Sequence, residues 1–206
     1  MRKTLFTLLL ACAPLAALAQ EAPDAMVKRI ADELVAIVKT DKELAAGDQQ
    51  KVIELAEAKV LPHFDFARMT RLAVGRNWRD ASPAQREALT KEFRTMLVRT
   101  YSSSLSAYRN QTIEVKPMRT KPGDEEVTVR TAVIQPGGPP IPIDYAMAKA
   151  PDGWKVFDVV IDGVSLVTTY RGTFNEQIQS GGIDGLVKTL AERNRGGAAA
   201  PAAPGK

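Results

Sequence analysis

A chain of 206 residues carries one domain, or one domain with processed and unstructured ends. Its 28 Lys and Arg against 24 Asp and Glu give a net charge of +4, too small and too interspersed for a nucleic-acid footprint. With 45% hydrophobic and 25% charged residues it can bury a core, and one Cys and one His exclude a disulfide scaffold and any zinc site built from Cys and His alone.

The sequence opens with Met1, Arg2 and Lys3, runs apolar from Leu5 to Leu18, and presents Ala17-Leu18-Ala19 before Gln20. A positive start, an apolar stretch too short to span a bilayer comfortably and a small-x-small site read as a secretory signal peptide over residues 1–19. Leu9-Leu10-Ala11-Cys12 also resembles the short motif at which bacterial lipoproteins are cut and acylated. That cut leaves an apolar region of only seven residues, whereas cleavage after Ala19 uses the whole run. It also leaves residues 20–206 without cysteine, as suits an oxidising compartment. Loss of Arg2 and Lys3 takes two positive charges from +4 and leaves +2, so the expected product is soluble, exported and nearly neutral.

Between Pro23 and Lys39, Met26, Val27, Ile30, Leu34, Ile37 and Val38 fall within about 120° at helical spacing, which predicts a first helix. A second is expected from about Asp48 to Leu61, with Val52, Leu55, Ala56 and Val60 as its face and Pro62 as its break. A third, shorter one is expected from His63 to Val74, ending at Gly75. Ser82-Pro83-Ala84-Gln85 then reads as a helix start, with a capping serine, a proline at the first position and a glutamine at the third. From Pro83 to about Tyr108 the apolar face runs for about 26 residues, or about 39 Å, long enough to cross the domain as a central wall.

After Asn110 the period changes to two, and strands are expected at about 111–118, 125–134, 141–149 and 154–161. Lys121-Pro122-Gly123-Asp124, the proline-rich stretch from Gln135 to Pro140, and Pro151-Asp152-Gly153 supply the turns, and such short connections imply antiparallel pairing. Val127, Val129, Thr131 and Val133 share a face, as do Ile141, Ile143, Tyr145 and Met147, and Phe157, Val159 and Ile161. Helical spacing returns from Leu166 through Tyr170, Phe174 and Ile178 to Gly181-Gly182, and a last helix uses Ile183, Leu186, Val187 and Leu190. The low-complexity end GGAAAPAAPGK holds no residue able to anchor a core, so a folded domain over 20–194 and a disordered tail over 195–206 are expected. The fold class is α+β: a helical layer packed on one side of a twisted four-stranded antiparallel sheet.

Catalytic chemistry is sparse. His63 has only Asp65 nearby in sequence, which cannot face it on a helix, and reads as a surface or helix-end residue. Gly163-Val164-Ser165-Leu166-Val167 begins like a nucleophile elbow but lacks the second glycine, so Ser165 reads as a helix cap. There is no GxxxxGK[ST] and no GxGxxG. Asp124, Glu125 and Glu126 lack calcium-loop spacing and read as a solvated turn. What the sequence offers instead is an excess of bulky apolar side chains facing inward: Met69, Leu72, Phe93, Met96, Leu97, Tyr101, Leu105, Tyr145, Met147, Phe157, Tyr170 and Phe174. They either line a cavity or fill a solid core.

Pro62-His63-Phe64-Asp65-Phe66-Ala67-Arg68-Met69, Gly75-Arg76-Asn77-Trp78, Glu92-Phe93-Arg94 and Arg99-Thr100-Tyr101 resemble, in this order, landmarks of the MlaC or toluene-tolerance family. So do Asp144-Tyr145, Trp154-Lys155-Val156-Phe157-Asp158-Val159, Gly163-Val164-Ser165-Leu166-Val167 and Tyr170-Arg171-Gly172-Thr173-Phe174. The resemblance covers roughly residues 23–193; single motifs are weak and the ordered series is specific. It implies a nuclear-transport-factor-like (NTF2-like) architecture with a lipid cavity between helices and sheet, no catalytic residue, no metal and no cofactor, and a diacyl phospholipid as bound ligand. The twelve bulky residues are then the expected cavity wall, and Arg76 and Arg171 the candidates for the lipid phosphate. It further implies a monomer of the periplasm that comes transiently near membranes, shuttling phospholipid between an outer-membrane Mla lipoprotein with its porin and the inner-membrane Mla ABC transporter, with no nucleic-acid partner. The proline-rich hairpin from Gln135 to Pro142 and the Ala/Pro/Gly tail depart from the family pattern. Rival readings are a periplasmic α+β enzyme, for which Asp144, Asp158 and Ser165 are too sparse to assign a reaction, and a ligand-free adaptor with a filled core.

Overall fold

The computed structural model describes residues 20–106, 111–121 and 123–196. The leader expected at 1–19, Tyr108 at the end of the long helix and all of the tail expected over 195–206 except Arg195 and Gly196, which are helical, lie outside the described residues, as does the side chain of Leu105.

Among the described residues six α-helices and five strands occur in the order α1 (Pro23–Thr40), α2 (Lys42–Ala46), α3 (Gln49–Lys59), α4 (Phe66–Val74), α5 (Pro83–Ser106), β1 (Thr112–Val115), β2 (Glu126–Ile134), β3 (Ile141–Ala150), β4 (Gly153–Ile161), β5 (Val164–Ser165) and α6 (Leu166–Gly196). Two aspartates articulate the first three helices. The Asp41 carboxylate accepts from the N–H groups of Glu43 and Leu44 at 2.8 and 3.1 Å, and that of Asp48 accepts from Lys51 N–H at 3.0 Å. Each satisfies donors that a helix start leaves unpaired. The one-turn α2 between them was not expected from the sequence.

The expected third helix begins later than its spacing suggests. Leu61–His63 form a 3-10 turn, Phe64 is extended and bridges Val156 of β4, and the Asp65 carboxylate caps α4 by accepting from Arg68 N–H at 2.8 Å. At α5 the expected reciprocal cap is present: Gln85 N–H donates to Ser82 Oγ at 3.2 Å, and Ser82 N–H to Gln85 Oε1 at 2.9 Å. α6 runs through Gly181 and bends at Gly182, whose φ of 69° and ψ of −175° interrupt it where the sequence placed a helix end.

The sheet is antiparallel in the order β1-β2-β3-β4-β5. It has five strands rather than the four expected. β5 is only two residues long and returns through Asp162-Gly163, whose φ values of 50° and 80° are those a two-residue primed hairpin turn requires. A second correction concerns β4. Asp158 pairs with Ala146 but Val156 pairs with Met147, so Phe157 is an extra residue in a bulge. The face shared with Tyr145 and Met147 is therefore Trp154, Val156, Val159 and Ile161, and Phe157 leaves it to pack with the helices.

Two buried clusters result. One joins α4, α5 and α6 around Met69, Leu89, Phe93, Met96, Phe174 and Leu186. The other joins the sheet face to the start of α1 through Met26, Val129, Met147, Trp154, Val156 and Leu166. Phe64 and Tyr101 touch both.

Candidate functional site

The expected wall residues divide between these clusters. Met69, Phe93, Met96, Leu97, Tyr170 and Phe174 belong to the helical one, where none is more than 6% exposed. Phe93 stands edge-on to Tyr170 and to Phe174 at centroid distances of 5.1 and 5.0 Å, an interlocked aromatic group. Met147 is fully buried in the sheet cluster, and Tyr145 is half-buried at its border. Leu72 and Phe157 are half-buried against the helical cluster, and the Arg68 guanidinium lies 3.6 Å above the Phe157 ring while pairing with Glu126 at 2.6 Å. Half-buried Tyr101 links the two clusters. Its hydroxyl hydrogen-bonds that of Tyr170, and burial raises both phenols above their ordinary range, so both are neutral.

A third apolar region was not expected. The C-terminal half of α1, the inner face of α3 and the edge strand β1 meet along a seam lined by Leu34, Val35, Val38, Val52, Leu55, Val60 and Ile113, around a cavity of about 50 Å³. The stripe that the sequence shows along α1 thus has two fates. Met26 is sealed against the sheet, whereas Leu34, Val35 and Val38, two to three turns further on, remain half-buried. Glu33 of α1 and Lys59 of α3 form an ion pair between the two helices that bound the seam.

Arg76 and Arg171, far apart in sequence, come together, and Arg71 joins them. An open groove of about 660 Å³ between the end of α4 and the first turns of α6 is lined by Arg71, Leu72, Val74, Gly75, Arg76, Thr168, Arg171, Gly172 and Asn175. Gly75 makes the turn possible: its φ of 64° and ψ of −134° suit glycine and strain any residue with a Cβ. Arg171 Nε donates to the Leu72 carbonyl at 2.9 Å, and Asn77 donates to Asn175 at 3.3 Å, which fix the two walls. Among the described residues none of the three arginines has an ion pair.

The polar groups behind an enzymatic reading serve the scaffold. Asp158 accepts from Ser165 Oγ at 2.6 Å and from Val167 N–H at 3.1 Å, and Ser165 Oγ accepts from Thr168 N–H at 3.0 Å, so both cap α6. Asp144 lies 4.0 Å from Arg130 on the sheet. Asp124 closes its turn by accepting from Lys121 N–H at 2.7 Å. Among the described residues no three His, Cys, Asp or Glu are grouped to hold a metal ion, and no helix is long and apolar enough to cross a membrane.

Fold and site together define an α+β domain with a close-packed helical core, an open antiparallel sheet and a half-closed apolar seam along one edge. The family model described as MlaC protein matches residues 28–192, and the chain belongs to that family. It is 26% identical to the toluene tolerance protein Ttg2D of Pseudomonas putida, over 88% of this chain and 84% of that protein. It is 24% identical to the intermembrane phospholipid transport system binding protein MlaC of Haemophilus influenzae, over 85% of this chain and 84% of that one. Among solved structures, a phospholipid-binding protein of Ralstonia solanacearum in complex with a phospholipid is 40% identical, with a TM-score of 0.78 over 84% of this chain and 97% of that chain.

Proposed function

We propose that this chain is a periplasmic phospholipid carrier that holds one diacyl lipid by its acyl chains. In this reading it shuttles lipid, as a monomer, between an outer-membrane lipoprotein and porin complex and an inner-membrane ABC transporter, and so maintains outer-membrane lipid asymmetry. The supporting observation is the half-buried apolar seam between α1, α3 and β1, in a chain so similar to one solved with a phospholipid. A nuclear-transport-factor-like closure of helices over a curved sheet belongs to the same reading.

The physics of transfer explains why such a protein needs enclosure and no catalytic group. A diacyl lipid exposes about 30 methylenes, and at about 0.8 kcal/mol each its free passage through water faces a barrier on the order of 24 kcal/mol. A seam of about 50 Å³ holds on the order of one or two waters, far less than an acyl chain. Lipid therefore enters as α1 and α3 part, with Leu34, Val38, Leu55 and Ile113 as the first wall and Tyr101 and Tyr145 beyond them. Spontaneous release into water is negligible for the same reason, so unloading needs a docked acceptor. With no GxxxxGK[ST] motif, the work of directional transport falls to the transporter.

Native mass spectrometry of protein purified from a Gram-negative periplasm without detergent tests this. The expected spectrum carries one diacyl phospholipid per chain. The bare chain mass throughout would overturn the carrier in favour of a filled adaptor.

A further inference from the structure

The arginine groove and the apolar seam lie on different flanks. The seam is built on β1, whereas α4 and α6, which make the groove, pack near β4, three interstrand spacings or about 14 Å across the sheet. Between them runs α5, which packs against α3 on one side and against α4 and α6 on the other. The seam, where the carrier reading puts the acyl chains, and the groove are thus separate features of the domain, and lipid content is read beside peptide binding in the test below.

The groove itself has a definite chemistry. Three arginines line it with no carboxylate among the lining residues, all three are exposed, and Leu72 and Val74 contribute apolar lining. Exposed arginines hold a single small anion weakly, because water screens each pair. Several carboxylates presented together on one chain engage the planar forks bidentately and hold them jointly. The concave shape admits side chains of a protein segment and not the plane of a bilayer.

We propose that the Arg71, Arg76 and Arg171 groove is a docking site for an acidic segment of a partner protein. Charge complementarity selects the partner, and the 2.9 Å bond from Arg171 Nε to the Leu72 carbonyl holds that side chain across the groove, with its terminal nitrogens left to the partner. The site recognises clustered Asp and Glu beside an apolar residue that reaches Leu72. The inference uses the carrier reading only for the need to dock, and the groove is tested without it.

The probe is a synthetic peptide of six glutamates ending in leucine, added to the full mature chain and followed by backbone NMR and fluorescence anisotropy. Shifts confined to residues 71–76 and 168–175, lost as salt rises from about 0.05 to about 0.5 M, are expected. The R71E/R76E variant, whose two side chains carry no hydrogen bond within the protein among the described residues, should bind the peptide at least tenfold more weakly. Its phosphatidylethanolamine to phosphatidylglycerol ratio on native mass spectrometry should stay as in the unaltered chain. R171Q gives a second, charge-neutralising test if reversal at two sites perturbs folding. No saturable peptide binding at low salt overturns the proposal, as does binding only to phosphatidylglycerol vesicles, which would make the groove a membrane contact. A changed lipid ratio or lost lipid in R71E/R76E overturns it in favour of a headgroup site. A chain that binds peptide but never carries lipid sinks the carrier reading and leaves the groove standing.

Discussion

Phe93 on α5 and Leu55 on α3 are both apolar residues on neighbouring packed helices, yet Phe93 is 0% exposed and Leu55 is half-buried. The difference lies in what surrounds them. Phe93 meets two aromatic rings at about 5 Å and is sealed by α4 and α6. Leu55 faces α1 across a gap bridged at its rim by one exposed ion pair, Glu33 with Lys59. Opening the first region forfeits close-packed contacts throughout a cluster, whereas opening the second forfeits a few partial ones. Free energy for local opening follows contact density, so any cavity that must appear and vanish belongs at the seam. A rigid half and a yielding half are what a lipid holder needs: one keeps the fold while the other changes volume.

The largest effect that probes this contrast is on stability. Phe93→Ala removes the centre of the aromatic group and should lower folding stability by about 3–5 kcal/mol, read from urea midpoints. A loss below about 1 kcal/mol would mean that the helical cluster is not the rigid half.

The seam should respond the other way. Val38→Trp and Leu55→Trp each place bulk where the walls already stand apart, and should cost less than about 1.5 kcal/mol. Bound phospholipid should nevertheless drop at least fivefold in native mass spectra. Met147→Trp is the contrasting substitution: Met147 is fully buried, so added bulk should destabilise by about 1–3 kcal/mol. Unchanged lipid load in both seam variants would place the acyl chains elsewhere.

A smaller effect concerns the rim. Lys59→Met removes the exposed tie to Glu33 and should speed exchange of bound lipid into acceptor vesicles about twofold without changing the load. The unaltered chain should approach the same rate at high salt, because screening weakens the pair in place. Equal rates at low salt would show that the pair does not restrain α1 and α3.

Much of this contrast was readable in sequence, but unevenly. The reciprocal cap at Ser82 and Gln85, the stripes of α1 and α5, and four strands follow from local rules that need no tertiary information. α2 escaped because five residues cannot show a period of 3.6, although Asp41 and Gly47 bracket it. β5 escaped because two residues cannot show alternation, although Asp162-Gly163 is a strong hairpin signal. The bulge at Phe157 leaves no mark in the alternation and reverses which residues of β4 face inward. The expected wall favoured the bulkiest side chains, and bulky rings interlock, so most of them lie in closed clusters. The seam is lined by Ala, Val, Leu and Ile, and the half-burial of Leu34, Val35, Val38 and Leu55 depends on how far apart α1 and α3 are held, a distance that no local pattern encodes. Arg76 and Arg171 were expected as contacts for the lipid phosphate, and the fold places both on one groove. Arg71 was not, because only the fold brings the end of α4 beside α6.

The smallest expected effect comes from His63, at the turn before α4. Partial burial, with Arg29 on α1 and Lys155 on β4 as nearby positive charges, lowers its pKa below the ordinary value near 6.5, while Glu21 and Asp152 oppose this in part. Because the folded-state pKa is the lower one, the unfolded chain takes up a proton first as pH falls. Stability from this residue is complete above about 6.5, declines as pH drops through that value, and levels off below the folded-state pKa. His63→Gln should therefore flatten the fall in urea midpoint between about pH 7.5 and 5 relative to the unaltered chain. The effect should be modest, since the imidazole is only half-buried. Arg29 belongs to the N-terminal half of α1, the part that stays on the sheet, so the same titration should leave lipid exchange at the seam unchanged. An acid-dependent rise in exchange that disappears in His63→Gln would show that the two halves of α1 move together, and the division between rigid and yielding regions would have to be drawn elsewhere.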